Sequence, residues 1–98
     1  MLRITVHNDV GATRLIIEGR FMGAWVRELE GCWRQATAEQ PPPRIFVELT
    51  DVSFVDEEGG KLLKLMAAAG VELIAIDVLM KALVEEITEG GRKNEKTD

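Results

Sequence analysis

The feature that most constrains this chain is a change of hydrophobic period near its middle. Ile45-Phe46-Val47-Glu48-Leu49 is rich in the β-branched and aromatic residues that suit a pleated sheet. Beyond it, Leu62, Leu65, Met66 and Ala69 recur at i, i+3, i+4 and i+7, the stripe of an amphipathic helix. The segment Thr50-Asp51-Val52-Ser53 reads as the loop between them. The helix start carries three consecutive carboxylates, Asp56-Glu57-Glu58, and then Gly59-Gly60. A strand that passes directly into a helix and on to another strand requires parallel pairing and a right-handed crossover. All-α and all-β architectures are thereby set aside.

The flanking segments extend the same pattern. Leu2-Arg3-Ile4-Thr5-Val6-His7 alternates apolar and polar residues, Asn8-Asp9-Val10-Gly11 supplies turn chemistry, and Thr13-Arg14-Leu15-Ile16-Ile17-Glu18 returns as a second strand. An antiparallel hairpin is expected there. A helix is expected over 24–38, with Trp25, Leu29, Cys32, Trp33 and Ala36 on its inner side and Arg27, Glu30 and Arg34 opposite. Pro41-Pro42-Pro43 ends it and leads an extended chain into the central strand. Gly70 is placed to terminate the second helix. Val71 to Ile76 reads as a last strand, so continuously apolar that both its faces are expected to be covered. Asp77 caps a third helix running to about Glu86, with Leu79, Ala82, Leu83 and Ile87 facing inward. The expected order is β-β-α-β-α-β-α: a small mixed α/β sheet, mostly parallel, with helices packed on it. One domain over 1–90 is followed by a flexible polar tail over 91–98. The expected core includes Trp25, Leu29, Trp33, Leu62, Leu65, Met66 and Leu83.

Composition limits what such a domain does. With 98 residues the chain makes one core and no deep enclosed cavity. Its formal charge of −5 disfavours nucleic acid and anionic membrane surfaces, both of which are negatively charged. Glu72 interrupts the longest apolar run, so no membrane span is expected, and Met1-Leu2-Arg3 leading straight into a strand pattern gives no expectation of a signal peptide. One cysteine excludes an internal disulfide and suits a reducing cytoplasm.

Asp56, Glu57 and Glu58 form the acidic cluster nearest a functional loop. They have a sufficient structural explanation, because Asp56 is a strong N-cap residue and the next two carboxylates complement the helix dipole. Glu57 also reaches Lys61 at i, i+4. Acid–base catalysis needs two carboxylates held apart with opposed protonation states. Neighbouring residues at a helix start splay apart, and the helix dipole acts on both in the same sense. The spacing likewise lacks the alternating oxygen ligands of a calcium loop, and no metal or cofactor is expected. The glycine pair lacks the Lys-Ser/Thr of a phosphate-binding loop. His7 lies on the polar side of its strand, and Cys32 reads as a small buried hydrophobe.

The segment from Glu48 to Gly59 resembles the signature of the STAS family, the sulfate transporter and anti-sigma factor antagonist domain. In that family a strand ends in an acidic residue and Leu, matched by Glu48-Leu49, and a short loop leads to Asp-Ser-Ser-Gly at a helix start. Asp56-Glu57-Glu58-Gly59 occupies the last four places, with both serines replaced by glutamate. The resemblance extends over about residues 2–88, including the Gly19-Arg20-Phe21 step and the last amphipathic helix. It implies a stand-alone bacterial protein-interaction module, not an enzyme, whose partner is an anti-sigma factor, a kinase-like protein or another signalling protein in transcription regulation. In the family a kinase phosphorylates the serine before the glycine, which corresponds to Glu58. That switch cannot act here, since no hydroxyl is present. Either Glu58 imitates the phosphorylated state or the partner reads its carboxylate directly. Thr50, Ser53 and Lys61 are the expected flanking surface. A small-ligand or nucleotide-binding module is the alternative the resemblance leaves open.

Overall fold

The computed structural model describes residues 2–96, with side chains described for 2–88. Its elements are β1 (Leu2–Asp9), β2 (Ala12–Phe21), α1 (Ala24–Thr37), β3 (Arg44–Val55), α2 (Glu57–Ala68), β4 (Glu72–Ile74) and α3 (Val78–Lys96). The expected α/β class and β-β-α-β-α-β-α order are both present. The sheet runs β1-β2-β3-β4, with β1–β2 antiparallel and the remaining pairs parallel.

The hairpin turns on Val10-Gly11, where Gly11 takes a φ of 75°, a value glycine adopts without steric cost. Along β2 the burial alternates: Thr13, Leu15, Ile17 and Phe21 are buried, while Arg14, Ile16 and Glu18 are partly exposed. On β3 the buried residues are Ile45, Val47, Leu49 and Val52. All three helices contact strands, and the core formed by these strand residues takes in Leu29, Leu63, Met66, Met80 and Ile87 from the helices. The opposite face of the sheet carries ion pairs instead, with Arg14 donating to Glu48 at 2.9 Å and Arg44 to Glu72 at 2.6 Å.

Three expectations need correction here. First, residues 50–55 are strand, not loop. Glu48 to Asp51 opposes Ile16 to Glu18, and Val52 to Phe54 opposes Gly19 to Arg20, so β3 carries an extra residue at each of two places. Such bulges break the simple alternation that a strand assignment depends on. Second, the last strand is three residues long and lies at the sheet edge, leaving Ile74 38% and Ile76 65% exposed. Its apolar run is not covered on both faces. Third, each helix keeps part of its expected inner stripe (Leu29, Cys32, Trp33 and Ala36; Leu62 and Met66; Leu83 and Ile87) but is rotated from the rest. Helix α1 buries Val26, Leu29 and Ala36, half-buries Cys32 and Trp33, and leaves Trp25 39% exposed. Helix α2 buries Gly59, Leu62, Leu63 and Met66, whereas Leu65 is 54% exposed and Ala69 is also exposed. Helix α3 buries Met80 and Ile87 with Leu83 and Val84 partly buried, and it exposes Leu79 and Ala82.

The caps follow local chemistry. The Gly70 N–H donates to Ala67 O at 3.1 Å and the Val71 N–H to Met66 O at 3.0 Å, a complete Schellman closure around Gly70 at φ 99°. Asp77 accepts from the Met80 N–H at 3.0 Å, capping α3 as expected. The helix then continues past Glu86 through Gly90 and Gly91 to Lys96, because glycine weakens a helix by about 1 kcal/mol without proline's clash. Of the tail expected over 91–98, residues 97–98 lie outside the described residues. No helix among the described residues is long and apolar enough to cross a membrane.

Candidate functional site

Asp56 stands where β3 ends and α2 begins, with extended backbone angles (φ −81°, ψ 178°) suited to an N-cap. Its carboxylate accepts from two different segments: Oδ1 from the Gly59 N–H at 2.7 Å and Oδ2 from the Gly23 N–H at 3.1 Å. Its backbone is engaged as well. The Asp56 N–H donates to Phe21 O at 3.2 Å, and its carbonyl accepts from the Gly60 N–H at 2.9 Å. One side chain therefore caps α2 and ties it to the loop that opens α1. Gly23, at φ 62°, starts α1 with no side-chain cap of its own.

Gly59 is buried against this corner. A Cβ there would sit 2.8 Å from Phe21 Cδ2, closer than real Cβ contacts come, and a tight 3.1 Å from Asp56 Oδ1. The glycine is thus required by the approach of the Phe21 ring, which is itself fully buried.

Glu57 and Glu58 behave differently. Their side chains are 84% and 69% exposed, and Lys61 Nζ lies 3.8 Å from Glu57 Oε2 and 3.9 Å from Glu58 Oε2. One lysine shared at such distances between two exposed carboxylates leaves the pair net negative and well hydrated. Asp56, Glu57, Glu58, Gly59 and Lys61 are accordingly brought together at one helix start. Thr50 and Ser53 are not part of that cluster. They stand on β3, roughly 20 Å and 10 Å back along the strand by its rise per residue. The Ser53 hydroxyl faces Gly19 O at 3.4 Å.

Several residues beside the helix start escape a reading of α2 alone. An open groove of about 530 Å³ between α1 and α2 is lined by Gly23, Ala24, Val26, Arg27 and Glu30 on one side and Asp56, Glu58, Lys61, Leu62 and Leu65 on the other. Met22 just before α1, Trp25 in the first turn of α1 and Leu65 on α2 expose apolar surface (37%, 39% and 54%). A large apolar residue one position away from the inner stripe is the sequence signal for such a surface, and Trp25 beside Val26 provides it.

His7 is exposed on β1. Cys32 is half-buried, and burial, followed by the charge of Glu28, pushes its thiol pKa up, away from the reactive thiolate. Among the described residues no group of three or more His, Cys, Asp or Glu side chains is placed to hold a metal ion.

No protein-family model matches the chain, and no curated protein matches it in sequence. Solved structures do match in shape. One, described as a crystal structure analysis of Mglu, superposes with a TM-score of 0.57 at 16% identity over 74% of this chain. The match spans only 19% of that protein's length, and it speaks to the fold alone.

Proposed function

We propose that this chain is a non-catalytic protein-interaction module of the STAS type, similar to an anti-sigma factor antagonist and working in the cytoplasm. It engages a signalling partner through the start of α2. The observation that carries this reading is the contrast within one turn of chain. Asp56 and Gly59 are locked into the fold, while Glu57 and Glu58 project from the same turn with two-thirds or more of their side chains exposed. Leu65 lines the groove beside Glu58 and, with Met22 and Trp25 from the start of α1, offers apolar contact area. Interfaces combine such elements: a few apolar or aromatic anchors, with charges that set partner choice. A basic side chain on the partner would meet the Glu57–Glu58 pair.

Glu58 occupies the place that, by resemblance, belongs to the phosphorylated serine of STAS antagonists. It supplies a constant negative charge where the family has a conditional one. The expected result is that Glu58→Gln and Glu58→Ser leave the melting curve almost unchanged while shifting affinity for the native partner at least tenfold. A gain means that Glu58 imitates the phosphorylated state, and a loss means that the partner reads the carboxylate. Calorimetric affinities within twofold of wild type for both variants would refute the assignment of Glu58. A melting-temperature screen against nucleotides and divalent cations distinguishes the alternative of a small-ligand module, since a ligand that binds the native state raises its stability.

A further inference from the structure

The two edges of the sheet are protected unequally. The β4 edge is three residues long. The β1 edge is eight residues long and pairs with β2 in unbroken register from Leu2↔Gly19 to Asp9↔Ala12. Within Leu2–Asp9 there is no proline, lysine or bulge, the devices that usually blunt an exposed edge.

The direction of the unpaired groups follows from the ladder. Arg44 donates to Gly11 O at 3.0 Å, so the odd-numbered residues of the β2 segment turn their backbone groups toward β3. The even-numbered ones therefore bond to Arg3, Thr5, His7 and Asp9 of β1. This leaves the N–H and C=O of Leu2, Ile4, Val6 and Asn8 pointing outward along the edge. On the helix-bearing side of the sheet, Val6 is 46% exposed, and Val10 at the hairpin tip is fully exposed.

We propose that β1 pairs antiparallel with β1 of a second copy of this chain, about a two-fold axis at Val6, extending the sheet across both protomers. Pleat parity selects this register. A two-fold axis must pass through a residue position, because a half-step would place side chains on opposite faces. Centring on Val6 aligns residues 3–9 of β1 in both copies, an overlap no other residue centre within the strand exceeds. It sets Val6 opposite Val6 and Arg3 opposite Asp9, twice over. Within its own chain Arg3 has no ion pair among the described residues, and Asp9 has only Arg14 at 3.9 Å. Opposite charges directly across a strand pair stabilise it, and moving the axis by one residue sets Arg3 against His7 or leaves it without a charged partner. The outward groups of Ile4, Val6 and Asn8 meet their counterparts in about six hydrogen bonds. A single strand pair covers less than the roughly 1,200 Å² of a standard interface, so association is reversible and concentration-dependent.

Sedimentation equilibrium on the full chain is expected to show monomer and dimer exchanging between about 10 µM and 1 mM, the range of weak interfaces. Val6→Pro removes an N–H that β2 does not use, so it is expected to weaken dimerisation at least tenfold while the far-UV spectrum and melting curve hold. Arg3→Asp is expected to weaken it similarly, and the Arg3→Asp/Asp9→Arg double variant to restore it. In a Cys32→Ala background, oxidised Val6→Cys should form a disulfide dimer, since paired Cα atoms about 5.5 Å apart suit that bond. Asn8→Cys, whose copies would lie about four residue steps apart, should not. A strictly monomeric chain at 1 mM would overturn the proposal. So would a dimer indifferent to Val6→Pro and to the charge exchange, or equal cross-linking at positions 6 and 8.

Discussion

The corner where α2 begins and the exit from β4 lie along the same α/β unit, yet they are held in opposite ways. At the corner, Phe21 is fully buried, Gly59 is pressed against its ring, and Asp56 binds two segments with one carboxylate. At the exit, β4 spans three residues, and Ile76, Val78 and Leu79 are 65%, 82% and 74% exposed, with Asp77 capping α3 as the main local tie. The apolar residues lie where the fold grips least, and the charged residues project from where it grips most. Hydrophobicity by itself is therefore a poor guide to which region is structurally constrained. Under the function proposed above, Glu57 and Glu58 would meet a partner from a rigid base, which favours contacts of fixed geometry.

Substitutions that test this contrast fall in a clear order. The largest effect belongs to the inner side of α2: Leu63→Ala should cost roughly 2–5 kcal/mol in chemical denaturation, because Leu63 is fully buried. Leu65→Ala, two residues away and half exposed, should cost under about 1 kcal/mol, and equal losses would remove the assigned orientation of the helix. Next comes Gly59→Ala, expected to cost about 1–3 kcal/mol as the new Cβ displaces Phe21. Phe21→Leu in the same chain should recover part of that loss, and its failure to do so would show that the strain lies elsewhere. Asp56→Ala should lose about 0.5–2 kcal/mol, the range of an N-cap, with Asp56→Asn losing less. The smallest change is expected at the exit, where Ile76→Ser and Leu79→Ser should stay within about 0.5 kcal/mol of wild type. A loss above 1 kcal/mol there would make the two regions alike.

The sequence was most legible where chemistry acts locally. The hairpin turn at Gly11, the Gly70 closure and the caps at Asp56 and Asp77 all follow from residues within a few positions of each other. Helix orientation was harder to read, for a common reason. Trp25, Leu65 and Leu79 attract assignment to the core by size, but the buried stripes run through Val26, through Leu62 and Leu63, and through Met80. In α2 the stripe begins at Gly59, a residue with no side chain to mark it. Bulges hid the second half of β3, since Thr50, Asp51 and Ser53 interrupt the alternation there. The acidic helix start is visible in sequence, whereas the contribution of Gly23, Arg27 and Glu30 depends on how α1 meets α2, a long-range fact.

The double acceptance by Asp56 has a dynamic consequence. The amide protons of Gly23 and Gly59 share one carboxylate, so a single rotation of that side chain breaks both hydrogen bonds at once. Their hydrogen exchange should then proceed as one event, with the start of α1 and the start of α2 opening together instead of fraying separately. A partner that pulls on the first turn of α2 would be felt at Gly23, 33 residues earlier in the chain, through one torsion angle.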